Sequence, residues 1–160
     1  MVTQAQVLAW LERYATLIAD QRDYLTELDA AIGDADHGIN MNRGFQKVLG
    51  QLPNQADADI GAVLKNTGMS LLSSVGGASG PLYGTLFMRA GTAVGKKDEL
   101  DAQDVLALLE AGLQGVIQRG KAQPGDKTMV DAFQPAIDAY REAVESGASV
   151  VEALGAPLER

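Results

Sequence analysis

Apolar residues recur three and four positions apart along almost the whole chain, a spacing that predicts one helix after another. Thr3-Gln4-Ala5-Gln6 reads as a capping box, in which the Thr3 hydroxyl and the Gln6 amide each satisfy a backbone donor. Val7, Leu8, Trp10, Leu11, Tyr14, Leu17 and Ile18 then follow at helical spacing. Met41, Phe45, Val48, Leu49 and Leu52 predict a second, shorter helix that ends near Pro53. Ile60, Val63, Leu64, Met69, Leu71, Leu72 and Val75 predict a third, running into a glycine-rich break. Leu82, Leu86, Phe87, Ala90 and Val94 predict a fourth, with Gly95 as its C-terminal cap. Asp101 opens a fifth, which carries Val105, Leu106, Leu109, Leu113, Val116 and Ile117 before Gly120. A sixth starts at Thr128 or Asp131, runs through Phe133, Ile137, Tyr140 and Val144, and stops at Gly147. Pro135 should kink it unless the helix starts later. Val150 to Leu154 begins a seventh. No run of alternating β-branched residues interrupts this pattern, so the expected fold is all-α, with about six to seven amphipathic helices.

Composition narrows the function more than the fold. At 160 residues, the chain 1–160 is expected to form a single domain with a real core. A net charge of −8, from 21 acidic and 13 basic residues, argues against a nucleic-acid partner, whose groove needs a basic stripe. No apolar run has the length of a membrane span, and the N-terminus lacks a basic segment followed by an apolar one. A cytoplasmic protein without membrane association is therefore expected. The absence of cysteine removes disulfides, thiol catalysis and zinc–thiolate sites together.

The densest chemistry lies in Asp29-Ala30-Ala31-Ile32-Gly33-Asp34-Ala35-Asp36-His37-Gly38, which holds three carboxylates and the chain's one histidine. Two carboxylates about 5 Å apart repel by roughly 3 kcal/mol at an effective dielectric near 20. A fold that gathers them must protonate one, separate them or bind a cation. All-oxygen ligands with one imidazole favour magnesium, manganese or calcium over zinc. An EF-hand does not fit: counted from Asp34, its glycine slot is Ile39 and its glutamate slot is Phe45. The plainer alternative is that these aspartates cap neighbouring helices and face solvent.

Two further loops suit an anion. Ser73-Ser74-Val75-Gly76-Gly77-Ala78-Ser79-Gly80-Pro81 precedes an apolar helical pattern, and a helix start flanked by small residues offers free N–H groups to phosphate. It could equally be a tight helix–helix turn. Gly120-Lys121-Ala122-Gln123-Pro124-Gly125-Asp126-Lys127-Thr128 almost spells the phosphate-binding pattern GxxxxGK followed by Ser or Thr. Asp126 interrupts it, and the preceding segment reads as helix where that pattern needs a strand, so it is not a P-loop. Three carboxylates and a diphosphate carry about six negative charges, of which two divalent ions would cancel about four. From the residues alone, the expectation is a helical domain that binds magnesium and a phosphorylated ligand.

LDAAIGDADHGINMNRGF (residues 28–45), LKNTGMSLLSSVGGASGPLYGT (64–85) and GVIQRGKAQPGDKTMVDAF (115–133) closely resemble the nucleotide-binding L subunits of dihydroxyacetone kinases. The same module forms the ATP-binding domain of single-chain dihydroxyacetone kinases. The resemblance implies an antiparallel, barrel-like bundle with a nucleotide, ADP or ATP, at one end. It implies that Asp29, Asp34 and Asp36 hold two magnesium ions, and that His37, Gly38, Ile39 and Asn40 lie along the phosphates, with His37 orienting phosphate and not acting as a base. Ala78 and Ser79 match the glycine-rich loop's nucleotide contacts. Gly120, Thr128 and Met129 match the rest of the pocket. It further implies a K subunit that holds dihydroxyacetone and a phosphotransferase M subunit that recharges ADP, with a homo-oligomer expected. Family members continue through an arginine- and glycine-rich segment and an Asp-Pro-Gly loop, whereas this chain stops at Ala156-Pro157-Leu158-Glu159-Arg160. The resemblance thus implies a shortened domain whose nucleotide pocket lacks those closing elements. Two rival readings follow: a regulatory or scaffold module without turnover, and an ATP-dependent kinase for another small ketose or polyol.

Overall fold

A computed structural model of the chain describes residues 1–30, 37–74, 79–120 and 130–155. In chain order it contains β1 (Val2–Thr3), α1 (Gln4–Asp20), α2 (Arg22–Ala30) and α3 (His37–Gln51), then a 3-10 turn over Leu52–Gln55. After these come α4 (Ile60–Ser74), α5 (Ser79–Val94), β2 (Glu99–Leu100), α6 (Ala102–Gly120), α7 (Val130–Glu145) and α8 (Val150–Gly155). The fold is all-α, a barrel-like antiparallel bundle, as the sequence pattern and the resemblance lead one to expect. No helix among the described residues is long and apolar enough to cross a membrane.

Local chemistry sets several boundaries. Thr3 caps α1 as expected: its hydroxyl accepts from the Gln6 N–H at 3.2 Å, and the Gln6 side chain accepts from the Thr3 N–H at 2.9 Å. Asp101 and Asp104 cap α6 reciprocally, each carboxylate accepting the other's backbone N–H at 2.8 and 3.1 Å. Gly95 and Gly147 follow α5 and α7 with φ of +69° and +90°, angles that favour glycine.

Three boundaries differ from expectation. The first helix is followed directly by a separate α2, broken from α1 at Gln21; α2 has no buried residue, so its sequence shows no core-facing stripe. The second predicted helix begins at His37, one turn before the first apolar residue of its stripe, and Pro53 falls within the 3-10 turn that follows it. Helix α7 starts at Val130 and continues through Pro135, where proline withholds one hydrogen bond from the helical ladder. A two-residue strand pair, Val2 with Leu100 and Thr3 with Glu99, adds the one sheet among the described residues.

Packing fixes which end of the bundle each loop occupies. Leu11, Phe45, Ile60, Val63, Leu71 and Val130 are fully buried in one core, each such side chain contributing about 1.5–3 kcal/mol by leaving water. Tyr14 stacks on Phe45 with ring centroids 4.5 Å apart, and Phe45 meets Phe87 edge-on at 6.3 Å. Helices α4 and α5 meet through glycines: a Cβ on Gly61 would lie 2.2 Å from the Gly95 carbonyl oxygen, and one on Gly68 2.6 Å from that of Gly84. Away from the candidate loops, the Gln4 N–H donates to the Asp98 carbonyl at 2.9 Å and the Ile60 N–H to that of Lys97 at 2.8 Å. The Gln4 side chain also donates to the carbonyls of Gln55, Ala56 and Ala58. One end of the bundle is thereby tied together by backbone.

Candidate functional site

The opposite end carries the candidate chemistry, and topology puts it there. Helix α3 leaves that end at His37 and α4 returns to it at Ser74; α5 leaves from Ser79 and α6 returns at Gly120; α7 leaves from Val130. The antiparallel course is visible in side-chain pairs, Gln51 with Ser70 and Lys47 with Ser73 between α3 and α4, and Gln55 of the 3-10 turn with Asn66 of α4. The helix ends that flank residues 31–36, 75–78 and 121–129 therefore all lie at one end of the bundle. The segments themselves lie outside the described residues, and with them Asp34, Asp36, Ala78, Thr128 and Met129.

The described site residues occupy the helix ends around these segments. Asp29 is the penultimate residue of α2 and half-buried; its Oδ2 accepts the backbone N–H of His37, the first residue of α3, at 3.3 Å. A carboxylate on a helix N-terminus gains about 0.3–1 kcal/mol from the helix dipole. Gly38 is buried because α2 crosses directly over it: an added Cβ would lie 1.9 Å from the Arg22 carbonyl oxygen and 2.6 Å from Thr26 Oγ1. Ile39 is 47% exposed, on the face of α3 that borders Arg22, Asp23, Asn42 and Arg43. Asn40 is buried, and its Oδ1 lies 3.5 Å from Arg43 Nη1. Ser79 opens α5, and Gly120 closes α6 against Leu82.

Two chemistries meet at this end. The first turns of α3, α5 and α7 present backbone N–H groups, which suit phosphate oxygens. The last turns of α2, α4 and α6 present carbonyls, and the Asp29 carboxylate adds a hard oxygen, which suits magnesium. Among the described residues no group of three His, Asp or Glu gathers closely enough to hold a metal, since two of the three expected ligands lie outside them. The one expected ligand among them, the Asp29 carboxylate, is a hard oxygen donor of the type magnesium takes.

Sequence reading missed part of this arrangement. It left α2 unassigned, although Leu25 and Leu28 stand three residues apart, and it gave no role to the Arg22 carbonyl, Thr26 or Lys47. Contacts between residues so far apart in the chain leave no local signal; a glycine inside a helix start is the one clue to a close crossing.

Known proteins match this chain over nearly all its length. The family model of the DAK2 domain matches residues 31–159. The chain is 51% identical over 155 residues to the ADP-binding subunit DhaL of the PEP-dependent dihydroxyacetone kinase of Escherichia coli K12, covering 97% of this chain and 74% of that protein. It is 42% identical over 135 residues to the corresponding subunit of dihydroxyacetone kinase 1 of Listeria innocua, covering 84% of this chain and 68% of that one. The crystal structure of C. freundii dihydroxyacetone kinase with AMP-PNP and Mg2+ superposes with a TM-score of 0.75 at 27% identity, over 98% of this chain. This chain spans 28% of that longer one. A helical bundle matched to these proteins in both sequence and fold, the chain belongs to the DAK2 domain family.

Proposed function

We propose that this chain is the nucleotide-binding L-type subunit of a dihydroxyacetone kinase, a single domain that binds ADP or ATP with magnesium. In this reading it presents a phosphoryl group to dihydroxyacetone held on a separate K subunit. A phosphotransferase M subunit recharges the ADP, which stays bound as a cofactor. The chain works in the cytoplasm and forms a homo-oligomer. The observation that carries the reading is the convergence on one end of the helix termini that flank the three connections, where Asp29 sits on the N-terminus of α3.

Each residue then has a physical task. Asp29, Asp34 and Asp36 would hold two magnesium ions, whose charge would offset that of the phosphates. The first turn of α3, His37 to Asn40, offers backbone N–H groups to phosphate oxygens, and His37 orients them. Gly38 lets that turn sit tightly under α2, so that Asp29 is held at its rim. Ala78 and Ser79, where the chain enters α5, would border the phosphates, and Gly120, Thr128 and Met129 would line the remainder of the pocket. Preorganised charge of this kind is most of what phosphoryl transfer asks of a protein.

Calorimetric titration with ADP, with and without magnesium, tests the assignment on the wild-type chain and on Asp34→Asn. Binding is expected to require magnesium and to weaken by at least about tenfold in the variant. Metal-independent binding of equal strength in both proteins would falsify it.

A further inference from the structure

We propose that Lys47 is a positioning residue for phosphate binding, acting through Ser73 at the end of α4; this rests on the nucleotide-binding reading above. Helix α4 is joined to α3 and to the 3-10 turn that follows it by polar pairs: Asn66 Nδ2 donates to Gln55 Oε1 of the turn at 3.2 Å, Ser70 Oγ to Gln51 Oε1 of α3 at 2.6 Å, and Lys47 Nζ of α3 to Ser73 Oγ at 2.7 Å. Residues spaced three or four apart line one helix face, so these pairs form a single ladder. The ladder climbs toward the candidate site. Its last rung is Lys47–Ser73, one residue before α4 ends at Ser74.

That rung is built unlike the others. The Ser73 hydroxyl accepts from Lys47 and donates to the Ser70 carbonyl at 3.1 Å, so both of its roles are used and its orientation is fixed. Lys47 is also the charged member of the ladder. Among the described residues no carboxylate stands within ion-pair distance of it, in a chain of net charge −8. A lysine that served only to fasten two helices would gain more from an acid than from a neutral hydroxyl. Here it stands, with no described carboxylate beside it, on the wall of a cleft of about 560 Å³, also bordered by Gln51, Asn54 and Asn66. The rung sits at the foot of the segment that leads to α5. There a cation both fixes the height of the α4 terminus against α3 and adds positive potential on the side of α4 that leads to α5.

Magnesium–ADP titrations on wild type, Lys47→Met, Lys47→Arg and Ser73→Ala would be run at a temperature where circular dichroism shows every variant fully folded. Lys47→Met is expected to weaken ADP binding about tenfold, the value of a hydrogen bond to a charged group, and Lys47→Arg by less than about threefold. Ser73→Ala is expected to lose about threefold, and adding it to Lys47→Met to change little more, since the two act as one unit. Affinity within about twofold of wild type for fully folded Lys47→Met would overturn the inference and leave the ladder a purely structural seam. Failure of the wild-type chain itself to bind ADP overturns the nucleotide reading, and this inference with it.

Discussion

Helices α4 and α5, and helices α2 and α3, approach each other by the same device with different consequences. In the first pair Gly61 faces Gly91 and Gly95, and Gly68 faces Gly84, so that a Cβ on any of the four helical glycines would strike the opposite helix. In the second pair Gly38 alone lies under the Arg22 carbonyl. The α4–α5 seam is flanked by Ile60, Val63, Leu64, Leu71, Phe87 and Ala90, all buried. Helix α2 buries no residue. A close backbone approach therefore stores stability only where a core surrounds it. Where none does, as at α2–α3, its effect is geometric: it fixes where Asp29 stands relative to the first turn of α3.

The largest effect expected from breaking either approach is on the seam. In Gly68→Ala the new Cβ would lie 2.5 Å from Met88 Cγ, 2.6 Å from the Gly84 oxygen and 2.8 Å from the Met88 nitrogen, two of which are backbone. The helices must separate and loosen the core beside them, at a cost of about 3 kcal/mol or more. For a chain of this size that lowers the melting temperature by roughly 10 °C. A thermal melt within about 2 °C of wild type would show that the seam is not close-packed.

Gly38→Ala should reverse the balance. The new Cβ would sit 1.9 Å from the Arg22 oxygen, a worse clash than any in the seam, yet α2 can swing away without uncovering buried side chains. Stability should fall by only about 1 kcal/mol, while magnesium-dependent ADP affinity falls at least about tenfold as Asp29 is carried off the α3 terminus. Calorimetry and a thermal melt on the same sample separate the two effects. A variant that melts far below wild type but still binds ADP normally would mean that α2 is structural and that Gly38 has no part in the site.

These two approaches were also unequally legible in the chain. Features that arise from neighbouring residues could be read directly: the Thr3 capping box, the Asp101 start of α6, and the positive-φ turns at Gly95 and Gly147. Helix α2 was not legible, because Tyr24 and Leu28, its large side chains, are 56% and 53% exposed and trace no buried stripe. The seam left a signal that went unused. Gly61 and Gly68, like Gly84 and Gly91, are seven residues apart. Glycine inside a helix costs about 1 kcal/mol relative to alanine, so two at a two-turn spacing on each of two helices call for a packing reason. The strand pair is two residues long on each side, too short for any alternation to be seen. As for the site, its loops could be picked out by composition, and of the three aspartates Asp29 is the one among the described residues, on the α3 terminus. That the flanking helix ends share one end of the bundle follows from helix direction, and the Lys47–Ser73 rung joins residues 26 apart, which local pattern cannot reveal.

The smallest effect lies at the end remote from the site, and it tests whether the two ends are independent. Lys97 Nζ stands 2.6 Å from Asp104 Oδ1, and Asp104 Oδ2 accepts the Asp101 N–H at 3.1 Å. The hydrogen bond from Lys97 holds the Asp104 carboxyl below the usual carboxylate range; burial opposes it, and the Asp101 backbone N–H adds to the lowering. A carboxyl whose folded pKa is depressed contributes its stability above the unfolded value, about 4, and loses it as pH falls through the folded value. Asp104→Asn should therefore cost about 0.5 kcal/mol near neutrality, the worth of a partly exposed ion pair, since the amide oxygen can still accept the Asp101 N–H. Denaturant melts of wild type and variant should converge as the pH drops below about 4, where the wild-type carboxyl is increasingly protonated. ADP affinity should stay within about twofold throughout the neutral range, because the α6 cap touches none of the helix ends that frame the site. If Asp104→Asn weakened ADP binding as Gly38→Ala is expected to, the bundle would be transmitting strain along α6 from one end to the other. The division between a stabilising scaffold and a freely placed α2 would then not hold.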